Sequence, residues 1–167
     1  MDPGALKATG TPKDPNMDMI IPGLYLGNAF SGLSESRLKK HGITHILSVA
    51  SVYYVPEGLL ERKSVEFDDN ADVDLMVHFT KTNAYISNAL EKGGVLVHCL
   101  RGVSRSATVV AAYLMATRRL SYQEAVDFIK SRRPMVNPNP GFIRQLELYG
   151  AAHCNTNTVE GGCLSVP

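Results

Sequence analysis

Residues 95–115 leave the chain little freedom. Val95-Leu-Val-His98 is a short apolar run, and Ala107–Met115 is apolar nearly all the way round a helix. The first reads as a buried strand and the second as a helix buried on most sides. Only Cys99 and the five residues Leu100–Ser104 lie between the strand and Arg105, where the helix should begin. A buried strand running almost directly into a buried helix requires a sheet with helices packed on it.

The remaining segments fit that frame. Ile20–Gly27 carries strand-like residues around Pro22-Gly23, a strand pair or bent edge strand. Ser34 is placed to cap a short helix ending near His41, with Gly42 as its stop. Thr44–Val49 and Lys63–Phe67 are further strands. Leu75, Phe79, Ile86 and Leu90 recur at helical spacing and lead to Gly93-Gly94. Ser121 and Glu124 form a capping box for a helix reaching Ser131. Pro134–Pro140 is a rigid loop, and Gly141–Ala152 is a last amphipathic helix using Phe142, Leu146 and Tyr149. Strands alternate with helices early and helices dominate late. The expected fold is α/β: a central mixed, mostly parallel sheet of about five strands, flanked by helices. Residues 1–18 read as a flexible lead-in, 19–152 as one catalytic-sized domain and 153–167 as a flexible tail.

Composition narrows the function. The 167 residues carry a net charge of +1, which gives no general attraction to nucleic acid or anionic membrane. There is no apolar run near the length of a membrane span, and residues 1–18 lack a signal-peptide core. The expectation is a soluble cytoplasmic protein, with the nucleus as a further location. Cys99, Cys154 and Cys163 are too widely spaced for a Cys-x-x-Cys metal or redox site. No metal and no cofactor are expected. Cys154 reads as a surface thiol, with a disulfide to an oxidised Cys99 as the rival reading.

The chemistry concentrates after the strand. Ligands of open α/β sheets sit beyond the carboxyl ends of strands, where Cys99 lies. The helix beginning near Arg105 aims free N–H groups and its positive dipole end at the same spot. Leu100, Arg101, Gly102, Val103 and Ser104 can curl so that their amides form a nest for phosphate oxygens. Gly102 permits the backbone angles of such a curl. Arg105 offers a planar fork to two oxygens. The same field favours the thiolate of Cys99, a nucleophile for phosphorus. Ser106 can donate to that sulfur. His98 suits orientation of Cys99 and the loop better than proton abstraction. The competing reading is a structural Cys at a strand end beside a surface Arg.

His98-Cys99-x-x-Gly102-x-x-Arg105-Ser106 resembles the signature of the cysteine-based protein phosphatases. The details are similar to the dual-specificity branch, of the small atypical kind. Gly23-Leu-Tyr-Leu-Gly27, Gly42-Ile-Thr-His-Ile-Leu-Ser-Val49, Arg133-Pro134, Pro138-Asn139-Pro-Gly-Phe142 and Gln145-Leu146 resemble other segments of that branch. The likeness spans roughly residues 19–150. It implies a protein tyrosine phosphatase-like fold and hydrolysis of phosphotyrosine and phosphoserine/phosphothreonine through a cysteinyl-phosphate, with no metal. It implies a general acid ten residues before an aromatic of the next helix. Phe79 matches that aromatic and selects Asp69 from the acidic loop Asp68–Asp74, with Asp68 as runner-up. Asp72 or Asp74 then caps the helix at Leu75. Asn139 matches an Asn that braces the phosphate loop without touching substrate, and Ser104 has a similar structural status.

The stretch between Gly23 and Asp69 leaves no room for the insertion that tyrosine-specific relatives use, which implies a shallow site. Arg101 adds a charge at the rim, either for substrates with adjacent phosphates or acidic flanks or with no contact at all. Arg118-Arg119 and Arg132-Arg133 read as helix-end charges. The expected partner is a phosphorylated protein, not nucleic acid; the oligomeric state stays open. Two rivals remain: the same chemistry on a phosphoinositide, RNA 5′-triphosphate or sugar phosphate, and a phosphoprotein-binding module without turnover.

Overall fold

A computed structural model describes residues 14–50 and 60–156. In chain order the elements are β1 (Met17–Ile21), β2 (Leu24–Gly27), a 3-10 turn (Ala29–Leu33), α1 (Glu35–Lys40), β3 (Ile43–Ser48) and β4 (Glu61–Ser64). A second 3-10 turn (Met76–His78) follows, then α2 (Phe79–Lys92), β5 (Gly94–His98), α3 (Arg105–Arg118), α4 (Tyr122–Lys130) and α5 (Pro140–Thr156). The sheet has five strands in the order β1-β2-β5-β3-β4. β1 pairs antiparallel with β2, and the other pairings are parallel. The mixed, mostly parallel sheet expected from the sequence is the one observed.

β5 sits in the middle and is buried at every residue. Successive side chains of a strand face opposite ways. Val95 and Val97 join the large core beneath α2, α3, α4 and α5, while Leu96 joins the smaller cluster with Leu38 of α1. Phe79 and Phe142 are the largest fully buried side chains; burying each contributes roughly 1.5–3 kcal/mol. α3 is buried from Ser106 through Met115, which accounts for its apolar circumference. Among the described residues no helix is long and apolar enough to cross a membrane.

Local signals set most boundaries. The β1–β2 turn passes through Gly23 at φ +81°. Ser34 caps α1 through Arg37 N, and Ser121 with Glu124 forms the capping box of α4. Three expectations shift. β1 begins at Met17, inside the segment read as lead-in; residues 1–13 lie outside the described part. β4 covers Glu61–Ser64 rather than Lys63–Phe67. Among the described residues it is the sheet's edge, paired with β3, and it carries charge instead of an apolar run. Val65 and Phe67 leave the sheet and pack on the helical core. α5 continues to Thr156, beyond the expected end at Ala152; residues 157–167, with Cys163, lie outside the described part.

Candidate active site

Cys99 follows the last residue of β5 and is 2% exposed. Its Sγ accepts two hydrogen bonds, from Gly102 N at 3.2 Å and from Ser106 Oγ at 3.1 Å. Both donors lie on the helix side of the loop.

The loop carbonyls are held from outside. Cys99 O faces His98 Nδ1 at 3.4 Å, and Leu100 O accepts from Ala29 N at 3.2 Å. Arg101 O and Gly102 O accept from Arg133, at 3.4 and 3.0 Å. Val103 O accepts from Asn137 N at 2.9 Å, and Ser104 O from Thr108 N at 2.9 Å. Among the described residues no acceptor meets the N–H groups of Leu100, Arg101, Val103 or Ser104. Carbonyls turned outward leave amides turned inward, the nest that binds anions. Gly102 makes the curl with φ +66°, and a Cβ there would collide with Gly27 O. Ser104 occupies the N-cap of α3 but makes no cap hydrogen bond, so the helix's first N–H groups stay free.

Arg105 opens α3 and donates from Nη1 to Phe67 O at 3.0 Å. Its Nε is buried without a hydrogen-bond partner among the described residues. A buried, unpaired guanidinium N–H is costly unless a ligand supplies the acceptor, and an oxyanion is the natural one.

His98 is buried, with Nε2 2.9 Å from Ser48 Oγ and Nδ1 facing Cys99 O. A carbonyl only accepts, so Nδ1 carries the proton and Ser48 donates to Nε2. Burial chiefly pushes the imidazole down to about 4, so it stays neutral. Its position supports orientation of the Cys99 peptide rather than proton transfer.

The acid loop meets the phosphate loop through Ser104. Ser104 Oγ donates to Asp69 Oδ1 at 2.7 Å, and Asn139 Nδ2 donates to the same oxygen at 2.8 Å. Oδ1 is thus tied down and Oδ2 is left for chemistry. Asp69 is exposed. Asn139 N donates to Ser104 Oγ at 3.0 Å, and Asn139 Oδ1 accepts from Phe142 N at 2.9 Å. Asn139 therefore caps α5, with Pro140 in the first helical position, while its amide reaches across to the acid. Asn139 meets the phosphate loop through its backbone N–H on Ser104 Oγ, while its side chain holds Asp69. Asp68 is exposed and takes no part in this network.

Two residues escaped the sequence reading. Neither Asp72 nor Asp74 caps the helix entered at Leu75, whose start carries no side-chain cap of its own. Gln145 of α5 does the work: Oε1 accepts from Leu75 N at 2.8 Å and Met76 N at 2.9 Å, and Nε2 donates to Val73 O at 2.7 Å. Arg133 is not a solvated helix-end charge. It is 2% exposed and donates to Gly102 O, Arg101 O and, at 2.7 Å, Asp18 Oδ2. Its neighbour Arg132 does fit that reading, stacked 3.7 Å over the Phe128 ring on the surface. The Gln145-Leu146 and Arg133-Pro134 pairs were visible as motif residues, but nothing local said what they touch. Arg101 is exposed at the rim. Among the described residues no three His, Cys, Asp or Glu side chains are grouped to hold a metal ion.

A profile of the family "Dual specificity phosphatase, catalytic domain" matches residues 24–152. The MAP kinase phosphatase with leucine-rich repeats protein 2 of Dictyostelium discoideum is 40% identical over 132 residues, covering 79% of this chain and 19% of that protein. Dual specificity protein phosphatase 15 of Mus musculus is 39% identical over 141 residues, 82% of this chain and 59% of that protein. The chain thus spans less than two thirds of either relative. The crystal structure of human DUSP28 superposes with a TM-score of 0.79 at 35% identity, covering 86% of this chain and 99% of that one. With the loop, its thiol and its arginine in place, the chain belongs to the dual-specificity phosphatase family, whose catalytic domain it carries.

Proposed function

We propose that this protein hydrolyses phosphate monoesters on phosphotyrosine and phosphoserine/phosphothreonine proteins through a cysteinyl-phosphate. The observation that carries the reading is the convergence on one point: Cys99 Sγ, the inward amides of residues 100–104, and a buried Arg105 Nε with no acceptor among the described residues. The amides and Arg105 hold three phosphate oxygens. Cys99 Sγ attacks phosphorus in line; the S–P bond forms as the bond to the leaving oxygen breaks. Asp69, through Oδ2, gives its proton to that oxygen. Water then attacks the phosphocysteine and returns a proton to Asp69. The S–P bond breaks, and the Ser106 hydroxyl donates to the departing sulfur.

The alternative of a binding module without turnover lacks support, because nucleophile, arginine and acid are all present. The dual preference is supported by the shortness of the stretch between Gly23 and Asp69, which leaves no room for the insertion of tyrosine-specific relatives. Arg101 at the rim suits acidic or doubly phosphorylated targets. The test is aryl phosphatase activity of wild type and Cys99→Ser, followed by a phosphopeptide panel with an inositol lipid and an RNA 5′-triphosphate as controls. Turnover lost in Cys99→Ser and highest on peptides supports the reading. Faster turnover of the lipid or RNA replaces the substrate class, and an inactive wild type overturns the enzyme.

A further inference from the structure

We infer that Arg133, paired with Asp18, is a positioning residue that fixes the phosphate loop for catalysis from behind. The inference rests on the catalytic reading above. A trans peptide is planar, so a carbonyl and the following N–H point in opposite directions, and the described chain contains no cis peptide. Arg133 Nη2 holds Arg101 O at 3.4 Å; the N–H of that peptide belongs to Gly102 and donates to Cys99 Sγ at 3.2 Å. Arg133 Nε holds Gly102 O at 3.0 Å; the N–H of that peptide belongs to Val103 and meets no acceptor among the described residues. One guanidinium thus grips the outer edges of two successive peptides. The inner edge of the first touches the nucleophile, and that of the second points into the cradle.

The grip is stiff. Arg133 is 2% exposed, and its third bond, Nη1 to Asp18 Oδ2 at 2.7 Å, ties it to β1 at the far edge of the sheet. Its own backbone N donates to Ile129 O at 2.8 Å, which anchors it to α4. A Cβ at Gly102 would also run into Arg133 Nη2, at 2.8 Å, so glycine, loop and arginine fit as one unit. A lysine keeps the charge but cannot span two carbonyls and a carboxylate as a planar fork. Asp18 neutralises a charge that would otherwise be buried unpaired.

The test compares wild type, Arg133→Lys, Asp18→Asn, Arg132→Lys and Leu38→Ala. For each variant we would measure kcat and KM on p-nitrophenyl phosphate, inhibition by inorganic tungstate, and thermal melting. Mispositioned catalytic groups lose about 10²-fold in rate, and Arg133→Lys is expected to approach that in kcat/KM. Tungstate inhibition should weaken in parallel at temperatures where the variant is fully folded. Asp18→Asn, which leaves both carbonyl bonds in place, should lose less. Arg132→Lys should match wild type. Leu38→Ala, a core truncation on α1, should melt lower yet keep kcat/KM and tungstate inhibition. If Arg133→Lys behaves like Leu38→Ala, Arg133 is merely structural and the inference fails. An inactive wild type would instead reject the catalytic reading beneath it.

Discussion

The phosphate loop and the acid loop are both short, and they are built in opposite ways. The phosphate loop lies between the central strand and a buried helix, with each carbonyl from Cys99 to Ser104 engaged from behind. The acid loop, Asp68–Asp74, runs over the surface and is held from one side by α5: Asn139 on Asp69, Gln145 on Val73, Leu75 and Met76, and the backbone at Gly141 packed on Ala71. The first must present fixed dipoles to a charged group, and rigidity serves it. The second, on the proposed mechanism, delivers and recovers one proton and needs only one oxygen placed. Damage to the first should therefore appear in both stability and catalysis. Damage to the second should appear in catalysis of poor leaving groups, with the fold nearly intact.

The largest expected effect falls on the buried side. His98 in the folded protein lies near 4, below its ordinary 6.5, so between those values the unfolded chain binds more protons. Stability then rises with pH across that window and is lost as pH falls from about 6.5 toward 4, by about 3 kcal/mol in total. Denaturant unfolding at pH 7 and pH 4.5 would measure the loss, and His98→Gln should remove most of its pH dependence. Equal losses in both proteins would show that His98 does not report on the loop.

On the acid side, Asp69→Asn should lower kcat on phosphotyrosine peptides by about 10²-fold. The same variant should release a very good aryl leaving group almost normally in the first turnover, with melting unchanged. Unaltered phosphotyrosine turnover would transfer the role to another group, Asp68 first. A smaller effect separates the two duties of Asn139. Asn139→Ser keeps a cap on α5 but removes the amide donor to Asp69. About 10-fold in kcat is expected, the worth of one hydrogen bond to a charged group, with stability nearly unchanged. A loss of stability without loss of kcat would make Asn139 a cap alone. The smallest effect is at Gln145→Ala, which strips the remote cap at Leu75 and Met76 and should cost about 1 kcal/mol of stability. No change in melting would mean that the 3-10 turn carries its own end.

The two loops also differ in how far the sequence reveals them. The strand, thiol, glycine, arginine and helix of the phosphate loop are contiguous, so periodicity and motif spacing exposed them together. Ser34, Ser121 with Glu124, and Gly23 were legible for the same reason: a cap or turn acts within four residues. Arg133, Gln145 and the second duty of Asn139 act across 31 to 115 residues. A buried arginine beside a surface arginine looks the same in a sequence as two surface arginines. β4 lies before the apolar Val65 and Phe67 because an edge strand is selected for charge rather than for an apolar run. Asp69 is selected by the resemblance alone, since Asp68, Asp72 and Asp74 lie in the same loop and nothing local prefers one of them.

The central claim is a phosphoryl group carried on Cys99. On the proposed mechanism Asp69 serves both half-reactions, so Asp69→Asn should slow hydrolysis of the intermediate whatever the leaving group. Rapid quenching of that variant with a phosphorylated aryl substrate that has a very good leaving group would let the intermediate accumulate. Peptide mass spectrometry would then show the gain of one phosphoryl group on the peptide containing Cys99. Continued turnover with no phosphoryl group on Cys99, or with the group on another residue, would contradict the account.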